Sequence, residues 1–379
     1  MLTFSLHLDA IEFDIKTFGT IGAVYSDNET QIFRKDISQK DGSSDDINFK
    51  TDSLLGVQTT IEIDEKLSFT LQGVGAYDYD DEINAKIDWG YLKYAINENI
   101  SIKLGRLRTP YYKNSQNLNV GYSNLMIRES VEVYGQVPFS SYNGLQLTYM
   151  DIIGRYFYEL QAGYGREELV VPFHSINEKV DVEIENLYTA NFTFGTPAIQ
   201  ARATYLRADI TATNDTLNQL FDGIRLLNPT LANSYEFKDK KSEYIGFGIF
   251  IDYNNFIFSS EYGQRKIPSF FADLHGYYAT LGYSFDKFIP FITYAKTEMD
   301  KPTYEANSGF ASLDYILQSQ NLAQSSKTLG VKYYINDNLD FKFQYEYVVP
   351  DGEYGSYHLN TSTNPKSMNV LSMALDFVF

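Results

Sequence analysis

Apolar and polar residues alternate along nearly the whole chain. In LDFKFQYEYV, residues 339–348, Leu339, Phe341, Phe343, Tyr345 and Tyr347 fall on one face, and Asp340, Lys342, Gln344 and Glu346 on the other. A period of two marks a strand whose two faces meet different surroundings. By that criterion the chain holds about sixteen strands, near 11–26, 52–63, 67–78, 84–96, 100–107, 142–150, 155–166, 186–195, 199–209, 241–252, 256–266, 274–285, 288–299, 326–335, 339–349 and 368–379. Most have roughly 9–12 residues, long for a globular strand and matched to the ~9–11 residues with which a tilted strand crosses a bilayer.

The connections follow their own rhythm. One set is short and built from Asn, Asp, Gly and Pro: 64–66, 97–99, 151–154, 196–198, 253–255, 286–287 and 336–338. Such sequences make hairpin turns. The interleaved set is mostly long and polar: 27–51, 108–141, 167–185, 210–240, 300–325 and 350–367, with shorter members at 79–83 and 267–273. Alternating short and long connections put the two sets at opposite ends of an up-and-down sheet. An even strand count puts both termini at the short-turn end.

A soluble β-sandwich would alternate too. The non-apolar faces are too polar for a packed core, however: Gln58, Thr60 and Glu62 on one strand, Ser68, Thr70 and Gln72 on the next. Tyr and Phe crowd the strand ends, and the last strand, LSMALDFVF, carries Leu375, Phe377 and Phe379 on its apolar face. The expected fold is therefore an all-β, transmembrane, antiparallel barrel of about sixteen strands in one domain spanning residues 1–379. A barrel of that size holds a water-filled lumen.

Composition sharpens this picture. Aromatics make up 16% of the chain, with 32 Tyr, 27 Phe and one Trp, and the Tyr suit a water–lipid boundary. A net charge of −18 argues against nucleic acid as a partner. Mean hydropathy is −0.30, yet a barrel shows lipid only every second residue. There is no cysteine, and the four histidines are scattered. The opening MLTFSLHLDAIEFD lacks the basic and apolar blocks of a targeting signal and reads as the start of a mature chain, with residues 1–10 unassigned.

One segment breaks the rhythm. Residues 104–135, LGRLRTPYYKNSQNLNVGYSNLMIRESVEVYG, have no period and are dense in Arg, Tyr and Asn, with Pro110 within and Pro138 just beyond. A long loop folded back into a wide barrel would have this composition, lying in water against a polar wall, with prolines fixing its departure and return.

LGRLRTPYY and NVGYSNLMIRESVEVYG, with the terminal Phe379, resemble the Gram-negative outer-membrane porins. Met126 stands where one porin branch often has Trp, and Glu129–Ser130 where it has a Pro-Pro pair. The resemblance implies that 108–141 is a constriction loop, with Arg106 and Arg128 as basic lining and Glu132 as the loop's acid. It also implies a homotrimer in the outer membrane, in contact with lipid and lipopolysaccharide, and a terminal Phe read by the assembly machinery. The residues themselves add Arg108, Lys113 and Glu129. Strict alternation from Ile100, Ile102 and Leu104 would aim Arg106 at lipid; a bulge at Gly105 turning it inward is the favoured resolution, a place at the headgroup boundary the other.

Residues 103–136 carry Lys103, Arg106, Arg108, Lys113 and Arg128 against Glu129 and Glu132, an excess of three positive charges that leaves −21 on the remainder. Charges in a narrow throat act with less screening than those on outer loops. The expectation is passive diffusion of small hydrophilic solutes and ions with mild anion preference; the alternative is a channel selective for small anions or sugars.

An enzymatic barrel has little support. G-x-S-x-G, H-E-x-x-H and P-loop patterns are missing, and no cofactor or metal is expected. His174 with Glu178, DGSSDD at 41–46 and DYDDE at 78–82 read more simply as solvated polar loops than as cation sites, and the Tyr as interface belts rather than sugar-stacking ladders. A barrel serving as adhesin or receptor through its outer loops remains the third class.

Overall fold

The computed structural model describes residues 12–379 apart from 30, 37–38, 40–41, 79, 138, 174–175, 301–306 and 352–365. Residues 1–10, Pro138, His174, Asp41, Tyr79 and most of 350–367, all named above, lie outside the described residues. The strands are β1 (Glu12–Ser26), β2 (Ile47–Asn48), β3 (Leu54–Glu62), β4 (Leu67–Tyr77), β5 (Ile83–Ala95), β6 (Ile100–Arg108), β7 (Ser141–Ile153), β8 (Tyr156–Phe173) and β9 (Glu178–Gly195). They continue with β10 (Ile199–Thr213), β11 (Lys240–Tyr253), β12 (Phe256–Lys266), β13 (Leu274–Tyr283), β14 (Phe288–Met299), β15 (Gln324–Asn336), β16 (Leu339–Pro350) and β17 (Met368–Val378). Among the described residues four helices lie between them: α1 (Val131–Tyr134), α2 (Asp215–Leu227), α3 (Pro229–Tyr235) and α4 (Ala311–Ser319).

Apart from the two-residue β2, the sixteen long strands form one closed antiparallel barrel. Closure falls on β1, which pairs with β3 from Glu12↔Glu62 to Thr20↔Leu54 and with β17 from Phe18↔Val378 to Ser26↔Val370. Strand count and up-and-down order match the sequence expectation. The short turns lie at the end that also holds Phe379. In one of them Asn254 and Asn255 both take positive φ, 50° and 66°, as a two-residue hairpin requires.

The faces are inverted relative to a soluble protein. Leu55, Leu104, Leu145, Phe192, Phe247, Ile292, Leu329 and Leu371 are exposed on the outside, whereas Gln72, Gln146, Gln161, Asn191, Thr280, Thr293 and Gln344 are buried within. Exposed aromatics mark two rings: Tyr253, Phe256, Tyr283, Phe285 and Phe288 by the short turns, and Tyr164, Tyr188, Tyr205, Tyr277 and Tyr294 nearer the other end. An apolar band between aromatic girdles is how a barrel meets a membrane.

Two expected loops turn out to be structured. The loop expected at 167–185 is the outward continuation of β8 and β9, whose pairing runs to Phe173↔Glu178. Val180, Val182 and Ile184 alternate with the exposed Asp181, Glu183 and Glu185, and the acidic residues masked that period. The 210–240 connection contains α2 and α3. Asn214 caps α2 by accepting from the Leu217 backbone N–H at 2.8 Å, and Leu217, Phe221 and Ile224 bury one helical stripe. These helices, α4 and Phe270 pack on Val182, Ile184 and Leu206 and on Tyr111, Tyr112 and Val133. The long-connection end therefore holds a dry apolar core, which the alternation of single strands did not reveal.

Candidate functional site

Strand β6 ends at Arg108 and β7 begins at Ser141, leaving 109–140 as the connection between them. It folds into the lumen as two 3-10 turns, Lys113–Asn117 and Gly121–Ser123, followed by α1. Its first limb is held by tyrosines. Tyr112 stacks on Tyr134 with ring centroids 4.0 Å apart, and Tyr111 packs edge-on against Tyr244 of β11. Glu261 of β12 gathers three donors there: the Lys113 backbone N–H at 2.9 Å and the hydroxyls of Tyr134 and Tyr278, each at 2.8 Å. These Tyr sit inside the barrel, a correction to the reading of tyrosine as interface belt alone.

The tip crosses to β15–β17. The Lys342 ammonium donates to the carbonyls of Gly121 (2.6 Å) and Met126 (3.2 Å) and lies 3.0 Å from Asp376. Lys332 donates to the carbonyls of Tyr122 and Asn124 and lies 3.1 Å from Asp340. Gly121 fits this contact because it has no side chain; a Cβ would come within 2.1 Å of the Asp376 carboxylate. The Tyr122 hydroxyl reaches the carbonyl of Asn336 at the short-turn end. On the return limb Ile127 donates to Gln344, and Gln136 to the Gly263 carbonyl of β12.

The six residues expected at the throat do not form two facing rows. Arg106 keeps the strand register opposite Gly90 and Asn143, on the face of the exposed Leu104 and Leu145. No register shift occurs at Gly105, so the bulge favoured from sequence is not what forms; Gly105 takes φ 139°, where a Cβ would meet the Gly90 carbonyl at 2.4 Å. Both Glu167 oxygens lie 2.9 Å from Arg106. Arg108 is buried against Asp88, which also accepts from Asn119 of the loop at 2.7 Å. Arg128 is clamped by Asp52 at 2.5 Å, Ser372 at 2.6 Å and Glu346 at 3.7 Å. Glu132 is 1% exposed and accepts from Gln324 at 2.9 Å, so it faces the wall rather than water. Glu129 accepts from Asn114 at 2.6 Å, and Lys113 is the one member classed as exposed.

Burial, reinforced by the nearby Glu346 charge, raises the Glu132 carboxyl to about 7. Burial likewise raises Glu129 to about 7, against the bond from Asn114. The wall residues that hold the loop, Asp52, Asp88, Glu261, Lys332, Lys342 and Asp376, were not among the candidates. A signal existed for some of them: the polar face of 339–348 sets Asp340, Lys342, Gln344 and Glu346 in a row, which reads equally as wetted wall or as loop contact.

The closed barrel is a fold this chain shares with solved outer-membrane porins and channels. Among solved structures, the outer-membrane channel DcaP of Acinetobacter baumannii matches with a TM-score of 0.61 at 13% identity over 97% of both chains. The anion-selective porin of Comamonas acidovorans gives 0.58 at 12%, covering 97% of this chain and 100% of that one. OmpT of Vibrio cholerae, folded in vitro and solved in trimer form, gives 0.56 at 13%, covering 98% and 100%. No protein-family model and no curated protein matches the sequence.

Proposed function

We propose that the chain is a passive outer-membrane channel for small hydrophilic solutes and ions, narrowed by the 109–140 loop. The observation that carries this reading is charge left in water on inward strand faces at the short-turn mouth of the barrel. Asp14 and Lys16 of β1, Glu62 of β3 and Lys93 of β5 are exposed on strand faces that alternate with the outer apolar rows. They call for water at that mouth of the lumen, because isolated burial of a charge costs several kcal/mol.

The girdled apolar exterior supports a place in the Gram-negative outer membrane, bounded by lipid and lipopolysaccharide. The DcaP and anion-selective porin structures support transport rather than catalysis, and the trimeric OmpT supports a homotrimer. The one closed sheet supports a single domain over residues 1–379. The anion preference is retained, now assigned to unpaired wall lysines rather than to Arg106 and Arg128. A solute-selective channel is the second reading, favoured by the apolar core that occupies part of the long-connection end.

The test is conductance of the purified protein in a planar bilayer. Stepwise ohmic currents are the expected result; a barrel that inserts and passes no current would overturn the reading.

A further inference from the structure

Four adjacent strands set a row of polar side chains across the inner wall. The register places Ser68 of β4 opposite Lys93 of β5, Lys93 opposite Lys103 of β6, and Lys103 opposite Gln146 of β7. All four alternate with the outward row of Leu92, Leu104 and Leu145, so they share the lumen face. Adjacent strands are ~4.8 Å apart, which brings two ammonium stems side by side.

Like charges directly opposite one another on neighbouring strands destabilise a sheet. Several other inward cations are relieved by a carboxylate, Lys16 by Asp14, Lys332 by Asp340 and Lys342 by Asp376, while Arg202 and Arg265 are held by backbone carbonyls. Among the described residues, neither Lys93 nor Lys103 has a carboxylate within 4 Å. The nearest acid in the row is Glu62, opposite Ser68 and so two strands, ~10 Å, from Lys93. Salt screens much of an attraction at that range. The Lys103 ammonium lies over the Tyr91 ring, 4.7 Å from its centroid, which aligns it without neutralising it. The remaining neighbours in the row are neutral: the Ser68 hydroxyl and the Gln146 amide, which donates to Thr148 at 3.2 Å.

We propose that the Lys93–Lys103 row is a subsite for a small doubly charged oxyanion, of the hydrogenphosphate, sulfate or short dicarboxylate class. A dianion neutralises both ammonium groups at once and spreads its oxygens over adjacent donors, whereas chloride meets one charge at a time. Water contact at Lys93 keeps the well shallow, as passage requires. The subsite rests on the channel reading and adds a solute class to it.

The experiment is chloride current through the wild-type protein in a planar bilayer, titrated with hydrogenphosphate at constant ionic strength. A saturable fall in chloride current is expected. Lys93→Gln with Lys103→Gln should raise the half-blocking concentration at least about tenfold while chloride conductance persists. Lys93→Gln alone, at an exposed position with little to disturb, should give a smaller shift in the same direction. Lys16→Gln, also in the lumen but outside the row, should leave the block unchanged. Block at the wild-type concentration in either lysine variant overturns the subsite, as does a wild-type current indifferent to hydrogenphosphate. Both of those outcomes leave the channel standing. A wild-type barrel that passes no current overturns the channel reading, and the subsite with it.

Discussion

On β15 and β16, Lys332 and Lys342 are 2% and 0% exposed, each bound to a carboxylate and to two loop carbonyls. On β5 and β6, Lys93 and Lys103 point into the same lumen and, among the described residues, have no carboxylate within bonding distance. The residue type is the same and the strand pattern is the same. The partner across the barrel differs. Where 121–126 docks, lysine becomes a fastener whose charge is consumed by its own wall; where no carboxylate pairs with it, it remains available to solute. Counting basic residues near a throat therefore says little about selectivity until the paired ones are subtracted.

The largest expected effect comes from unfastening the loop. Lys332→Met with Lys342→Met leaves Asp340 and Asp376 buried without their cations, and breaking a buried pair this way costs about 3–5 kcal/mol. Urea unfolding in detergent should show a loss of that order for each pair. Replacing partners together, Lys342→Met with Asp376→Leu and Lys332→Met with Asp340→Leu, should recover most of the stability and still release the tip, separating the ion pairs' contribution from the loop's. Gly121→Ala is the milder form, since its methyl must displace the Asp376 carboxylate or the loop.

Next in size is a pH effect at Glu132. Its carboxyl is raised from 4.5 in the unfolded chain to about 7 by burial. Below pH 4.5 both states hold the proton and stability is complete; as pH rises from 4.5 towards 7 the unfolded chain releases it first, and stability falls by on the order of 3 kcal/mol. Glu132→Gln should reduce that slope in urea titrations between pH 4.5 and 7, leaving the share of Glu129, whose carboxyl is likewise raised to about 7. An unchanged slope would place the titrating group elsewhere.

The fold was legible because a bilayer imposes a period of two and a nearly fixed strand length, both of which survive in the order of residues. Val180, Val182 and Ile184 kept that period, but the acids between them looked like loop. The site was less legible because it is built by contacts far apart in sequence: Lys342 meets Gly121 and Arg128 meets Asp52, pairings that no local pattern encodes. Arg106 shows the same limit. Its strand position predicted the outer face, and the family motif predicted the inner one. The unbroken register decided for the strand, and Glu167 of β8, two strands away, satisfies the charge.

The smallest effect follows from that placement. Arg106→Ala should leave reversal potential across a salt gradient unchanged and lower stability by about 1–2 kcal/mol, because Glu167 retains Asn143 as a donor at 3.0 Å. A shift in ion selectivity would return Arg106 to the throat.

The most direct test of the pinned loop is the size of polymer the channel admits. Single-channel conductance in polyethylene glycols of increasing mass gives an exclusion limit for the wild type and for the variant in which both fastening pairs are replaced, Lys342→Met with Asp376→Leu and Lys332→Met with Asp340→Leu. With the tip released, the limit should move to larger polymers and conductance should rise. An identical limit and conductance in the two proteins would mean that residues 109–140 do not set the width of the channel.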